Sequence, residues 1–263
     1  MSGRKSRNTG KAILRILSVL LFLFGLAVLL YPTMNGIWIG HMLRRDAEEF
    51  LSFVYTDTNI SREDSSHVMI QPPETVEPEE TIPEEYPELW QQMRVYNQDI
   101  FCNGQEGLSD EMAYEKPSFV LADYGLQSEV FAVLSIPALD LEMPLYLGAT
   151  RQHMADGAAH MSQTSLPIGG NNTNCVIAGH RGWNGAAYFL HVPNLEKGDI
   201  VAITNLWKTL TYEVMESKIV TPYDVESIRI QPNRELLTLL TCHPPATGGR
   251  ERYLVICERI ETE

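Results

Sequence analysis

Three side-chain types that together can carry out acyl transfer lie in the C-terminal half of this chain: a cysteine, a histidine and an arginine. Cys242 ends the apolar run Leu236-Leu237-Thr238-Leu239-Leu240-Thr241-Cys242, and Arg250 and Arg252 open the next run. His180 lies upstream in Val176-Ile177-Ala178-Gly179-His180-Arg181-Gly182. A thiol with a pKa of about 8.5 is mostly protonated at neutral pH, so Cys242 needs a base or a nearby positive charge before it attacks a carbonyl. His180 is the candidate for that proton, and an imidazole that titrates near neutrality also suits protonation of a leaving amine and deprotonation of an incoming one. An arginine keeps its charge and offers a rigid fork of donors to a developing oxyanion. Arg250 and Arg252, two residues apart, share one face of a continuous strand.

Taken singly, each residue has a plainer role. A cysteine that ends an apolar strand usually packs, a histidine after Gly179 caps a turn, and arginines solvate a strand edge. Their joint occurrence points to chemistry. His243 is adjacent to Cys242, but neighbours on an extended chain point to opposite sides, which leaves it poorly placed to serve the thiol. A papain-like protease would want its cysteine at a helix N-terminus, where the dipole favours the thiolate. Here the cysteine follows a β-type run with Pro244-Pro245 behind it, and that context counts against the protease.

The elements that must position these groups are short. Apolar runs at 130–136, 141–147, 175–178, 200–206, 209–215, 218–221, 235–241 and 252–257 are all of strand length and predict an all-β barrel or sandwich. Leu210-Thr211-Tyr212-Glu213-Val214-Met215-Glu216 alternates large and polar side chains, as a strand with one buried and one wet face does. Leu195-Glu196-Lys197-Gly198-Asp199 supplies a turn. Residues 184–190, with Ala186-Ala187-Tyr188-Phe189-Leu190, suggest a helical turn across a barrel mouth.

The first half of the chain has a different character. Arg4, Lys5, Arg7, Lys11 and Arg15 meet no acid in the first fifteen residues, and residues 16–31 carry no charge. A helix of about 20 residues crosses a hydrocarbon core of ~30 Å, and basic residues on its N-terminal side place that end in the cytoplasm. A cleaved signal peptide is the rival, but Tyr31-Pro32-Thr33-Met34-Asn35 offers no small-x-small cleavage site. Residues 37–54 predict a further helix. Residues 72–88 mix five prolines with glutamates and no lysine or arginine, the composition of an extended spacer. Residues 89–129 read as a short helix followed by an irregular segment.

Composition narrows the function. With 44% apolar residues the chain buries a real core, and a net charge of −14 argues against a nucleic-acid partner, which selects a basic surface. Cys102, Cys175, Cys242 and Cys257 form no CxxC or paired spacing, so no metal, cofactor or disulfide framework is expected. Cys175 and Cys257 lie within apolar runs and are expected to be buried hydrophobes.

The segments Gly157-Ala158-Ala159-His160, Thr164-Ser165-Leu166-Pro167-Ile168-Gly169-Gly170, Ala178-Gly179-His180-Arg181-Gly182 and Thr238-Leu239-Leu240-Thr241-Cys242 follow one another in an order that resembles the sortases, specifically their class C, pilus-assembling branch. Ile136-Pro137-Ala138-Leu139-Asp140 with Met143-Pro144-Leu145 is similar to the first barrel strands of that family. The resemblance implies a closed eight-stranded β-barrel tethered to the outer face of a Gram-positive cell membrane and acting as a cysteine transpeptidase. Its substrates would be surface proteins or pilins with a Leu-Pro-x-Thr-Gly sorting signal. The thioester formed on Cys242 would pass to an amine, a pilin lysine in the pilus branch or a cell-wall precursor in housekeeping enzymes. It also makes His180 and Arg252 the catalytic partners, with Arg252 preferred to Arg250 because it stands at the start of the last strand. Thr241, Thr164 and Ser165, with Arg250, become candidates to line the substrate pocket.

On this reading the chain divides into a cytoplasmic tail (1–11), a single membrane anchor in contact with lipid (12–31), an extracytoplasmic helix and acidic linker (32–88), a lid segment (89–129) and the barrel (130–263). Two features depart from class C. No Asp-Pro-aromatic tripeptide occurs between Trp90 and Glu129, and Asp110 or Tyr114 is the nearest substitute for a lid anchor. The chain also stops at Glu263 without a second apolar segment, so one tether is expected to suffice and a pilus-specific role is less secure. The alternative from another class is a catalytically idle, membrane-tethered scaffold that binds sorting-signal proteins.

Overall fold

The apolar runs do become strands, and they close on themselves. The computed structural model describes residues 3–57, 82–109 and 114–261. Its elements are α1 (Gly3–Asp57), α2 (Pro87–Cys102), β1 (Val130–Ile136), β2 (Leu141–Leu147), α3 (Arg151–Asp156), β3 (Ala158–His160), β4 (Thr173–Ala178), β5 (Arg181–Trp183), β6 (Ala186–Tyr188), β7 (Ile200–Asn205), β8 (Thr209–Val220), β9 (Glu235–His243) and β10 (Glu251–Arg259). Eight strands form a closed barrel in the order β1-β2-β3-β4-β9-β10-β8-β7, with β7 pairing back onto β1. Closure gives every barrel strand a neighbour on both sides. The pairs β2–β3 and β4–β9 are parallel and the rest antiparallel. Alternate residues such as Leu134, Leu145, Ile177, Ile203, Leu210, Leu237, Leu239 and Val255 share one buried cluster, the barrel core.

Three expectations are corrected here. The runs 209–215 and 218–221 are one twelve-residue strand, β8, which pairs with β10 through a register shift between Ile256 and Cys257. The eighth barrel strand is instead β3, three residues that pair with both β2 and β4 and are too short to show a period. Residues 184–190 are not helical: Asn184 (φ 49°) and Gly185 (φ 87°) turn the chain between Trp183 and Ala186, which pair as β5 and β6. Positive φ at both central residues is the tight hairpin turn that Asn-Gly favours.

The expected anchor and the helix expected after it are one continuous helix. α1 runs unbroken through Pro32, is exposed from Leu14 to Met34, and is long and apolar enough to cross a membrane. Beyond that stretch Ile39, Leu43, Ala47, Phe50 and Val54 recur every three or four residues and are buried against β1, β2 and β6. Each large apolar side chain buried this way contributes about 1.5–3 kcal/mol. Of the expected acidic spacer, residues 72–81 lie outside the described residues, while Pro87 and Glu88 belong to the first turn of α2. α2 buries Leu89, Trp90 and Met93, and its buried Asn97 accepts the Leu166 N–H at 2.7 Å.

Candidate active site

The site stands at one end of β4, β9 and β10, and alternation along those strands decides which side chains meet. On β9, Leu237 and Leu239 point into the barrel core, and Leu240 joins a second, outer cluster with Ala178, Val176 and Leu254. Cys242 shares the parity of Leu240, and Arg252 that of Leu254. Arg252 lies directly opposite Cys242 in the antiparallel β9–β10 register. A Cβ placed on Gly249 would lie 2.8 Å from Arg252 Nη1 and 3.1 Å from Cys242 Sγ, so thiol and guanidinium flank one point. Arg252 Nη1 donates to Gly249 O at 2.6 Å, which folds the side chain back over the strand end. Arg250 is exposed in the turn that precedes β10.

β4 brings the histidine. It runs parallel to β9 with Ala178 level with Leu240, and continuing that register by two places sets His180 level with Cys242. Gly179 N donates to Leu240 O at 3.1 Å, and Thr241 Oγ1 donates to Gly179 O at 2.7 Å. Gly179 is required because any Cβ there would fall 2.6 Å from the Phe189 ring. The His180 ring stacks on Trp183 (centroids 4.6 Å apart, planes at 16°) and meets the Tyr188 ring edge-on at 6.1 Å. Burial by these neighbours holds the His180 imidazole below its ordinary pKa, which favours the neutral base at neutral pH.

Arg181 and His243 point to the other side of the same strand ends. Arg181 Nη1 lies 3.4 Å from Cys242 O and donates to His243 Nδ1 at 3.0 Å, and its guanidinium sits 5.8 Å from the Tyr253 ring centroid. Its Nε is buried and finds no partner among the described residues. Sequence reasoning missed Arg181 as a part of this arrangement, although its position next to His180 places it on the opposite face of the same strand end. It also missed Trp183 and Tyr188, which the Asn184-Gly185 turn signal would have located beside His180.

The expected pocket hydroxyls are placed otherwise. Thr164 is fully buried, with Oγ1 donating to Met161 O at 2.6 Å and accepting from Val176 N at 3.2 Å. Ser165 is fully buried and accepts from Asn174 N at 3.0 Å. Thr241 is 1% exposed. All three hydroxyls, expected to line a substrate pocket, are buried and bind backbone groups. Tyr114 packs on the outer cluster that holds Leu240 and Ala178, and its hydroxyl donates to Leu108 O. Leu108 and Tyr114 therefore share the outer cluster with Leu240, two residues before Cys242 on β9. Asp110 lies outside the described residues. A concavity of about 1130 Å³ between α2 and the residues 168–173 is lined by none of Cys242, His180 and Arg252.

The other cysteines are unsuited to chemistry or remote from it. Burial raises the Cys175 and Cys257 thiols, Cys257 to about 12, and Cys102 is exposed at the end of α2. Among the described residues no cluster of histidine, cysteine or carboxylate side chains could hold a metal ion.

Residues 134–260 match the model of the sortase domain family. The chain is 30% identical over 130 residues to sortase D of Bacillus subtilis, an overlap covering 49% of this chain and 63% of that protein. The chain spans less than two thirds of the length of the curated relatives it matches. Its fold superposes on the crystal structure of sortase C-1 from Actinomyces oris with a TM-score of 0.56 and 31% identity, over 67% of this chain and 100% of that one. A structure of Clostridium perfringens sortase C with the C-terminal cell wall sorting motif matches with a TM-score of 0.60 and 25% identity, over 83% of this chain and 99% of that one.

Proposed function

The chain belongs to the sortase family, and on that premise we propose that it is a membrane-tethered cysteine transpeptidase that cleaves a Leu-Pro-x-Thr-Gly-type sorting signal and passes the acyl group to an amine. The observation that carries this reading is the pairing of Cys242 with Arg252 on β9 and β10, with His180 two residues past Ala178, which ends β4 level with Leu240. His180, neutral at rest, takes the Cys242 proton as the sulfur attacks the Thr-Gly carbonyl. Negative charge develops on the carbonyl oxygen within reach of the Arg252 guanidinium. The tetrahedral intermediate collapses, the C–N bond breaks, and the imidazolium of His180 protonates the departing glycine amine. An incoming amine then attacks the thioester and His180 accepts its proton; the C–S bond breaks as the new amide forms, and the imidazolium returns the proton to the Cys242 sulfur.

The likeness to class C sortases supports a pilin lysine as that amine, and hence pilus polymerisation ahead of plain wall anchoring. The apolar stretch of α1 supports a single-pass tether, and the basic residues before it support an extracytoplasmic barrel. The packing of Tyr114 in the outer cluster with Leu240 supports the lid role expected of Tyr114.

The test is to incubate the full chain in detergent micelles with Leu-Pro-x-Thr-Gly peptides and to look for a Cys242 thioester by mass spectrometry. A thioester that a lysine-bearing pilin peptide resolves to an isopeptide supports the polymerase. Resolution only by a cell-wall-type amine supports anchoring. Folded protein that forms no adduct with any of several signal variants supports the non-catalytic scaffold.

A further inference from the structure

We propose that the membrane-emerging part of α1 positions the imidazole of His180, with Gly36, Gly185 and Asn35 acting as positioning residues through the β5–β6 hairpin. This rests on the reading of His180 as the proton carrier. Gly36 is buried, and a Cβ there would fall 2.0 Å from Gly185 O and 2.4 Å from its carbonyl carbon. In return, a Cβ on Gly185 would fall 2.1 Å from Pro32 O. Helix backbone and turn backbone thus touch with no side chain between them, and both glycines are needed for that approach. Asn35 Nδ2 pins the contact by donating to Asn184 O at 2.7 Å.

The base of the same hairpin holds the histidine. Phe189 N donates to His180 O at 2.9 Å, Trp183 stacks on the imidazole, and the buried Tyr188 closes its edge. Only β5, Arg181–Trp183, separates the turn on α1 from His180. A two-stranded ribbon of three residues a side is not stable by itself, so its position must come from what it rests on. At its tip that support is α1, at the point where the helix passes from its fully exposed apolar stretch to its buried stripe. Gly40, one turn further on, is exposed and has open space around its Cβ position, so close approach is a property of Gly36 and not of every glycine in the helix.

The titratable and charged groups at the ends of the elements around His180 include Arg181 on β5, Tyr188 on β6, Cys242 and His243 on β9, and Glu251, Arg252 and Tyr253 on β10, with His41 and Arg44 on α1 beside the hairpin. Burial raises Tyr188 to about 12, so its phenol stays neutral throughout the range of interest. Release of the hairpin would expose the imidazole to water and lift its titration toward the ordinary range.

The experiment uses the full chain in lipid nanodiscs, with Gly36→Leu, Asn35→Ala and the control Gly40→Leu. Two quantities are read: the rate of thioester formation with a Leu-Pro-x-Thr-Gly peptide across pH, and the titration midpoint of the His180 ring by NMR. Gly36→Leu should slow thioester formation by at least about tenfold, since small misplacements of a catalytic group have large costs, and should raise the midpoint. Asn35→Ala should do both to a smaller degree, and Gly40→Leu should leave both unchanged. Folded Gly36→Leu protein with the original rate and midpoint would overturn the proposal. Where Gly36→Leu does not fold, Asn35→Ala decides, and an unchanged midpoint again overturns it. If the unaltered chain forms no thioester, the transpeptidase reading fails, while the ring titration still decides whether α1 holds His180.

Discussion

One residue separates two unlike surfaces at the ends of β4, β9 and β10. On the outer side stand Cys242 and Arg252, with His180 level with them, beside an apolar surface of Ala178, Leu240 and Leu254. On the inner side Thr241 is tied to Gly179, and Arg181 joins Cys242 O and His243 Nδ1 beneath the Tyr253 ring. The inner side chains bond to one another and to the backbone, with Arg181 Nε the one buried donor of this group left over among the described residues. The outer Cys242 thiol and His180 imidazole make no such bond among the described residues. A β-strand supplies both surfaces at once because successive side chains face opposite ways, so the locked side can hold the reactive side in register.

The strongest way to break this contrast is to substitute across it. Cys242→Ala should abolish thioester formation, and His180→Ala should nearly do so, as read by intact-protein mass spectrometry. Arg252→Ala should slow thioester formation by about 10²–10³-fold, the scale of losing one oxyanion donor, while Arg250→Ala should stay within about twofold. An Arg250 effect as large as that of Arg252 would mean that the β9–β10 register does not select the arginine. Thr241→Val removes a buried donor from Gly179 O and should lower stability by about 1–3 kcal/mol in a denaturant titration, although its side chain is out of a peptide's reach.

Two histidines sharpen the comparison through pH. Burial lowers His180 below the ordinary value of about 6.5, so its basic form persists to more acid pH, and the acid limb of thioester formation should fall below that value. His160 sits wholly inside the barrel, and burial lowers it from 6.5 to about 4. Between those values the unfolded chain binds the proton that the folded chain refuses, so stability falls as pH drops through the window and is fully present above it. The loss is on the order of 3 kcal/mol, and His160→Gln should flatten that part of the stability curve. Activity and stability should therefore report different imidazoles.

The sequence displays this site well where the local pattern and the final surroundings agree. The apolar runs at 130–136 and 141–147 match β1 and β2 residue for residue, because turn residues bound them on both sides. The break expected near Glu216 and Ser217 is absent, because the middle of β8 faces solvent and so resembles a loop in composition. Ala186-Ala187-Tyr188 has a helix-like composition, yet the Asn184-Gly185 turn before it dictates a hairpin. Thr164, Ser165 and Thr241 were illegible for another reason: a hydroxyl has the same letter whether it meets a ligand or a buried carbonyl, and only the packed fold tells them apart. The touch between Gly36 and Gly185 joins positions far apart in the chain and carries no local signal at all.

The smallest expected effect is the most discriminating. His243 is the immediate neighbour of Cys242, so proximity along the chain alone would give it a share in the chemistry. Its ring instead lies 5.8 Å from the Tyr253 ring, and its Nδ1 is taken by Arg181. His243→Ala should therefore slow thioester formation by no more than about threefold, the modest effect of losing a polar contact outside the reacting groups. The acid limb, which belongs to His180, should not move. Equal losses for His180→Ala and His243→Ala would show that the inner side also handles the proton, and the division between a locked and a reactive surface would have to be abandoned.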